Sequence, residues 1–267
     1  MADYFNVDGF RCDVADKIPL DFWEEGVRRL KAIKPDIFML SEGESSKFIE
    51  HTFDGSYHWR KQTKLINIYK NPNDMSAYKK VFKDEPYYNR TLNYIENHDE
   101  ASDVGVNRYE KVFGNDGVES MIFLIYSVAG IPFLWNGMEI CDDSENCMFS
   151  NRYFGRKNFI NWSYGMLNKG KKRMELIKKL SELYHTKEAL YDGTIDFADV
   201  ESESSTLLSF IREKDDKELF VCVNTGNPPV TFKANNKLKS ILSKGAEQNG
   251  NIIFVEAYGY IMADILK

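Results

Sequence analysis

Apolar positions in the first two thirds of the chain follow two rhythms. Short runs at residues 7–13, 36–41, 53–59, 92–96 and 131–135 read as strands, most of them buried on both faces. Between them, Leu20–Lys34 carries Phe22, Trp23, Val27, Leu30 and Ile33 at helical spacing and is stopped by Pro35. Residues 61–69, 75–82, 118–128 and 171–184 repeat the helical pattern, and residues 138–166 form a long polar loop. Strand, helix and strand joined by short returns predict a parallel sheet. From about residue 190 the texture changes to short β-rich runs at 206–212, 218–224, 230–232, 252–254 and 258–265. Asp215-Asp216, Asn227-Pro228-Pro229 and Asn249-Gly250-Asn251 punctuate them. That pattern predicts an all-β module of the sandwich kind, so the expected units are residues 1–188 and 189–267.

Composition narrows the function classes. A formal net charge of -6 and a pI near 5.4 leave no electrostatic footprint for nucleic acid. The longest apolar stretch, residues 121–135, is interrupted by Ser127, Gly130 and Pro132 and falls short of the roughly 18 residues a membrane span needs. No cationic segment precedes an apolar core at the start of the chain as given, so a soluble protein is expected, with its compartment open. Four cysteines are too few and too scattered for a disulfide framework, although Cys141 and Cys147 are spaced for a local bridge. Cys12 reads as a small apolar filler. Asp142, Asp143, Glu145 and Asn146 offer oxygen ligands, but without the glycine and terminal glutamate of an EF-hand they read as a solvated loop; no metal ligand is assigned.

Three acids close three of the apolar runs: Asp13 in Val7-Asp8-Gly9-Phe10-Arg11-Cys12-Asp13, Glu42 in Phe38-Met39-Leu40-Ser41-Glu42, and Asp99 in Tyr94-Ile95-Glu96-Asn97-His98-Asp99. The gaps, about 29 and 57 residues, are close to one and two units of a (β/α)₈ barrel. Three carboxylates at strand ends would then converge on one barrel mouth, the arrangement glycoside hydrolysis uses. Arg11 lies two residues before Asp13, on the same face of its strand, where it can orient that carboxylate and keep it ionised. Glu42 has no basic neighbour in its own strand and faces other acids, so it is expected to hold its proton. Glu44, two residues on, competes for that role by spacing alone.

These motifs resemble those of the α-amylase superfamily of retaining glycoside hydrolases, glycoside hydrolase family 13. Residues 8–15 look like the family's fourth-strand motif, residues 38–42 its fifth, Asn97-His98-Asp99 its seventh, and Gly130-Ile131-Pro132-Phe133-Leu134-Trp135-Asn136-Gly137-Met138-Glu139 its eighth; the β-rich tail matches its C-terminal domain. The resemblance implies strands four to eight of a (β/α)₈ barrel followed by an all-β sandwich. It implies Asp13 as nucleophile, Glu42 as acid/base, and Asp99 with His98 gripping sugar hydroxyls. Arg11, Tyr57, Trp59 and Lys17 join them as substrate-binding candidates. Tyr57, His58 and Trp59 either stack on glucose rings or pack the interior. Asp16-Lys17 stands where many members have Lys-His.

Nothing in the chain corresponds to the family's first three strands, so it reads as a C-terminal fragment with Met1 an internal methionine. Its expected partners are an α-1,4-glucan or maltooligosaccharide and a missing N-terminal barrel half; no cofactor is evident, Ca²⁺ belonging to the complete enzyme. Double displacement on starch-like glucans with low activity of the chain alone is the leading reading. An α-glucosidase or glucanotransferase, or a non-catalytic carbohydrate-binding or partner-dependent fragment, is the alternative.

Overall fold

The computed structural model describes residues 6–99, 108–144, 159–197, 200 and 204–266. Its first part is built on short parallel strands. β1 (Gly9–Cys12) pairs in parallel with β2 (Phe38–Ser41) across the helix α1 (Leu20–Ile33), and β2 pairs with β3 (Gly55–Ser56) beyond the short α2 (Ser46–His51). After α3 (Trp59–Lys70) and α4 (Met75–Asp84), a single parallel bridge from Ser56 to Thr91 leads to β4 (Leu92–Asn93). The helical segment α5 (Tyr109–Ser127), broken at Gly114 with φ 68°, then returns the chain to β5 (Ile131–Pro132), parallel to β4. The strands therefore follow one another in sequence order, each with its C-terminal end on the same side. Helices α6 (Asn168–Thr186) and α7 (Glu188–Tyr191) complete this part.

The strand faces are sorted by contact. Phe10, Cys12, Ile37, Met39 and Phe53 pack against Trp23, Val27 and Leu30 of α1, whereas Leu40, Tyr57, Leu92, Tyr94, Ile131 and Phe133 cluster on the opposite face. Cys12 is thus a filler on the helix side. Trp23 also fixes its helix to the strand ends, donating from its indole to Ala15 O at 3.1 Å. The apolar residues of α1 divide: Phe22 and Ile33 stay 60% and 61% exposed, so the apolar stripe is wider than the surface that covers it.

The β-rich part is one sheet in the order β10–β11–β8–β7–β6, with β9 pairing β11. Its strands are β6 (Thr194–Asp196), β7 (Leu207–Lys214), β8 (Lys217–Asn224), β9 (Val230–Lys233), β10 (Lys237–Asn249) and β11 (Ile252–Leu266). A two-residue turn at Asp215-Asp216, with Asp215 at φ 53°, joins β7 to β8. Instead of two separate sheets, β10 and β11 bend together. Residues 252–255 of β11 pair with β9, and residues 260–264 pair with β8. The bend lies between them, where Gly245 (φ 55°) interrupts the β10 register, Tyr258 has φ 55°, and a Cβ on Gly259 would come within 2.8 Å of Gly245 O. Strands that change layer through such bends give a sandwich-like core without a second sheet. That core holds Leu207, Phe220, Cys222, Phe232, Ile253 and Ile261.

The sheet's other face belongs to a cluster shared with the helices. Leu208, Phe210, Val221, Val223, Tyr260 and Met262 join Ile122, Phe123, Leu176 and Leu180 in a single core, with the Phe123 and Tyr260 rings stacked at 4.1 Å. Arg212 locks this junction. It is 1% exposed and donates to the carbonyls of Ser127, Leu190, Gly193 and Thr194 at 2.8–3.0 Å, and burial pushes its pKa down to about 10. Each buried carbonyl left without a partner costs on the order of 1–3 kcal/mol, so Arg212→Met is expected to lower unfolding free energy by about 3 kcal/mol or more in urea denaturation. A loss within about 0.5 kcal/mol, the range of an ordinary surface substitution, would show that water replaces the guanidinium there. Among the described residues, no helix is long and apolar enough to cross a membrane.

Candidate active site

Asp13 and Glu42 are neighbours because of strand register. Cys12 lies opposite Ser41, and Glu42 N–H donates to Cys12 O at 3.0 Å, so the next residue on each strand stands beside the other at the sheet's C-terminal edge. Arg11, opposite Leu40, shares the face of the aromatic cluster. One guanidinium then bridges both acids: Arg11 Nη1 is 2.5 Å from Asp13 Oδ1, and Nη2 is 2.5 Å from Glu42 Oε1. Glu42 faces Asp99, as expected, but it also meets a cation from the adjacent strand, which spacing along one strand does not reveal. Burial works against the charge on Arg11, but Asp13, Tyr57 and Glu42 together raise its pKa.

The turn after Asp13 is strained. Val14 is a β-branched residue at φ 43°, ψ 46°, a conformation such side chains rarely adopt. The turn directs Val14 N–H onto Glu42 Oε2 at 2.7 Å, while Ala15 N–H reaches Glu42 O at 2.9 Å. The next residue, Asp16, accepts Glu44 N–H at 2.9 Å, and a Cβ at position 43 would lie 2.1 Å from Asp16 Oδ1, so Gly43 permits this close contact. The two acid-bearing loops are thereby tied to each other. Asp13 is left open to solvent, its side chain 78% exposed, whereas that of Glu42 is 9% exposed.

Glu44 is turned elsewhere. Its carboxylate accepts Arg60 N–H at 2.6 Å and lies 3.3 Å from His58 Nδ1; these contacts, His58 the larger, hold its carboxyl below the usual range. His58 is itself buried, with Nδ1 3.2 Å from Lys61 N at the start of α3. It is no stacking surface for a sugar. Tyr57, 4% exposed, packs on Tyr94 (5.7 Å) and Phe133 (6.3 Å), with Arg11 5.6 Å above its ring. Burial pushes the Tyr57 hydroxyl above its ordinary pKa, and its hydrogen bond to Arg11 opposes this. Trp59 is half-buried beside Tyr57 at 6.1 Å, and Lys17 is exposed on the short turn Ala15–Lys17.

The third acid arrives from beyond β4. Asn97 Oδ1 accepts Asp99 N–H at 2.7 Å, which turns the chain so that His98 Nε2 lies 3.5 Å from Asp99 Oδ1. Side-chain atoms of Glu42, His98 and Asp99 all lie within 4.8 Å of one another, so the loops after β2 and β4 meet in one mouth. The His98 ring is 6.2 Å from Trp135, on the segment that follows β5.

Asp142 departs from the solvated loop expected of it. It is fully buried and bonded to Arg108, Ser144 and Asn161 N–H. Glu145, Asn146 and Cys147 lie outside the described residues; Cys141 is a buried thiol, raised to about 11 by desolvation, 3.0 Å from Asn115 Oδ1. The buried pair Glu96–Arg108 beside the Asn97–Asp99 turn has no signature in the sequence: Glu96 belongs to a motif, but its partner stands beyond a polar stretch that gives no sign of pairing.

No family model matches the chain. It is 22% identical over 242 residues to a maltogenic α-amylase of Bacillus acidopullulyticus, a match covering 85% of this chain and 39% of that one. It is 22% identical over 250 residues to α-amylase 2 of Dictyoglomus thermophilum, covering 90% and 42%. The chain thus spans about two fifths of the length of these curated relatives. Among solved structures, an α-amylase from H. orenii superposes over 99% of this chain and 63% of its own, with TM-score 0.72 and 20% identity, a likeness of fold.

Proposed function

We propose, from the premise that this chain is a relative of the α-amylases of glycoside hydrolase family 13, that it carries the reacting carboxylates of a retaining α-glycosidase acting on α-1,4-linked glucans. The observation that carries this reading is the single guanidinium of Arg11 bridging Asp13 and Glu42 at the ends of adjacent parallel strands. It brings two carboxylates, one exposed and one shielded, onto one cation, which supports their reading as a retaining pair, whose carboxyl groups stand about 5–5.5 Å apart.

In this mechanism Asp13 attacks the anomeric carbon while the glycosidic C–O bond breaks and Glu42 gives its proton to the departing oxygen. A glycosyl ester on Asp13 results. Water, losing its proton to Glu42, then attacks the same carbon, the ester C–O bond breaks, and the configuration is retained. A proton on Glu42 and its ion pair with Arg11 are alternatives, whereas Val14 N–H can donate to either form of the carboxyl. Substrate entering between the acids exchanges one for the other and leaves Arg11 on Asp13. His98 and Asp99 hold hydroxyls of the same sugar, contacts that strengthen as the ring distorts.

The five parallel strands correspond in this reading to part of a (β/α)₈ barrel, with residues 189–267 as its β domain. The relatives extend beyond the matched region, and Phe22 and Ile33 expose apolar surface on α1, so the remaining barrel units are assigned to a further polypeptide segment. The test is to assay maltooligosaccharide hydrolysis by the chain alone and mixed with a separately made N-terminal half of a relative. Little turnover alone and restored turnover in the mixture are expected. Sugar binding without turnover in the mixture would make the chain a binding module, and neither binding nor turnover would remove the reading.

A further inference from the structure

Beneath the Asn97–Asp99 turn lies a buried charge network that touches neither Asp13 nor Glu42 in any contact described above. Arg108, 1% exposed, donates from Nε to Glu96 Oε2 at 2.7 Å and from Nη1 to Asp142 Oδ2 at 3.3 Å and Ser144 O at 3.0 Å. The other Glu96 oxygen accepts Tyr109 N–H at 2.6 Å, the start of α5. The other Asp142 oxygen accepts Ser144 Oγ at 2.8 Å and Asn161 N–H at 3.1 Å, and Asp142 N–H donates to Gly137 O at 2.9 Å. One cation thus holds two carboxylates, and through them four backbone segments: the end of the β4 run, the start of α5, and both sides of the loop that follows β5.

A network of this kind is weak evidence for stability, because desolvating three charges offsets most of their attraction. What it does provide is fixed geometry. Glu96 is one residue before Asn97, whose side chain sets the Asp99 turn, and Asp142 is seven residues after Trp135, which faces His98. We propose that Asp142 is a positioning residue that, through Arg108 and Glu96, sets the placement of His98 and Asp99 against the loop after β5, where both groups grip the reacting sugar. The catalytic significance rests on the glycosidase reading; the placement itself does not.

The test uses the full chain and the ring signals of its four histidines by NMR. In Asp142→Asn, which keeps the shape but removes the charge facing Arg108, the His98 ring resonance is expected to move by more than its linewidth while those of His51 and His185 stay. Glu96→Gln is expected to move the same signal. Where Asp142→Asn does not fold, Ser144→Ala, which removes one hydrogen bond to Asp142, decides by a smaller displacement in the same direction. An unmoved His98 signal in folded variants whose thermal midpoints fall would leave the network with structural work only and overturn the proposal. A parallel maltooligosaccharide titration separates the two claims. Weakening by about tenfold or more in Asp142→Asn is expected, since small displacements of positioning groups have large effects. A parent chain that shows no response to sugar even with the N-terminal half present sinks the glycosidase reading and leaves the His98 result to stand or fall alone.

Discussion

Asp13→Asn is expected to lower kcat of the completed enzyme on the order of 10⁴-fold, with KM changed far less. The amide cannot form the glycosyl ester, so the two-step route is lost and what remains is the contribution of binding and of the other groups. The substitution is close to isosteric, and Asp13 is largely exposed, so folding is expected to be unaffected. The amide oxygen can still accept from Arg11. A loss of tenfold or less, measured on the same substrate and with the same fold by circular dichroism, would mean that Asp13 does not form the covalent bond.

Glu42→Gln separates the two carboxylates by their chemistry. General acid catalysis contributes about 10²–10⁴-fold when the departing oxygen needs a proton, and little when it does not. The variant is therefore expected to lose on the order of 10³-fold with maltooligosaccharides, yet to form the glycosyl ester at near-parental rate from a substrate with a good leaving group such as fluoride. Asp13→Asn is expected to fail with both. Glutamine also keeps an oxygen for Val14 N–H but loses the charge that faces Arg11, so a modest change in stability accompanies it. Equal losses on both substrates in Glu42→Gln would contradict its role as proton donor, and Glu44→Gln is the control, since Glu44 is committed to Arg60 N–H and His58.

What the sequence made legible follows from where information is local. Asp13, Glu42 and Asp99 each follow a short apolar run; β1 and β2 end directly before Asp13 and Glu42, whereas β4 already ends at Asn93 and a turn carries Asp99 to the site. The helix over Leu20–Lys34 was recovered to within a residue because its period and its stop at Pro35 are both local. The start of α5 at Tyr109 is not, because Gly114 breaks the helix and the polar Asn115-Asp116 that follow separate Tyr109, Val112 and Phe113 from the long apolar run. Strand β10 has no counterpart among the β-rich runs of the sequence. It lies at the sheet edge, much of it is solvated, and its lysines 237, 239 and 244 suit such an edge while erasing the alternation that marks a half-buried strand. The two runs at 252–254 and 258–265 are one bent strand, a distinction made by pairing and not by pattern.

The site shows the same division. That Arg11 serves Asp13 is readable from spacing along one strand; that it also serves Glu42 depends on the β1–β2 register. Whether Tyr57 faces sugar or interior could not be decided from a run of aromatics, and the packing of Tyr94 and Phe133 places it beneath Arg11. Arg108 and Asp142 are 34 residues apart in sequence and meet only through the tertiary fold.

The most direct measurement is peptide mass spectrometry of the completed enzyme after reaction with a fluorinated maltosyl fluoride that accumulates the covalent intermediate. A single glycosyl adduct on the peptide containing Asp13, absent in Asp13→Asn, is the expected result. An adduct on Glu42 or Asp99, or turnover that releases product of inverted configuration with no adduct, would contradict the assignment of Asp13 as the nucleophile of a retaining enzyme.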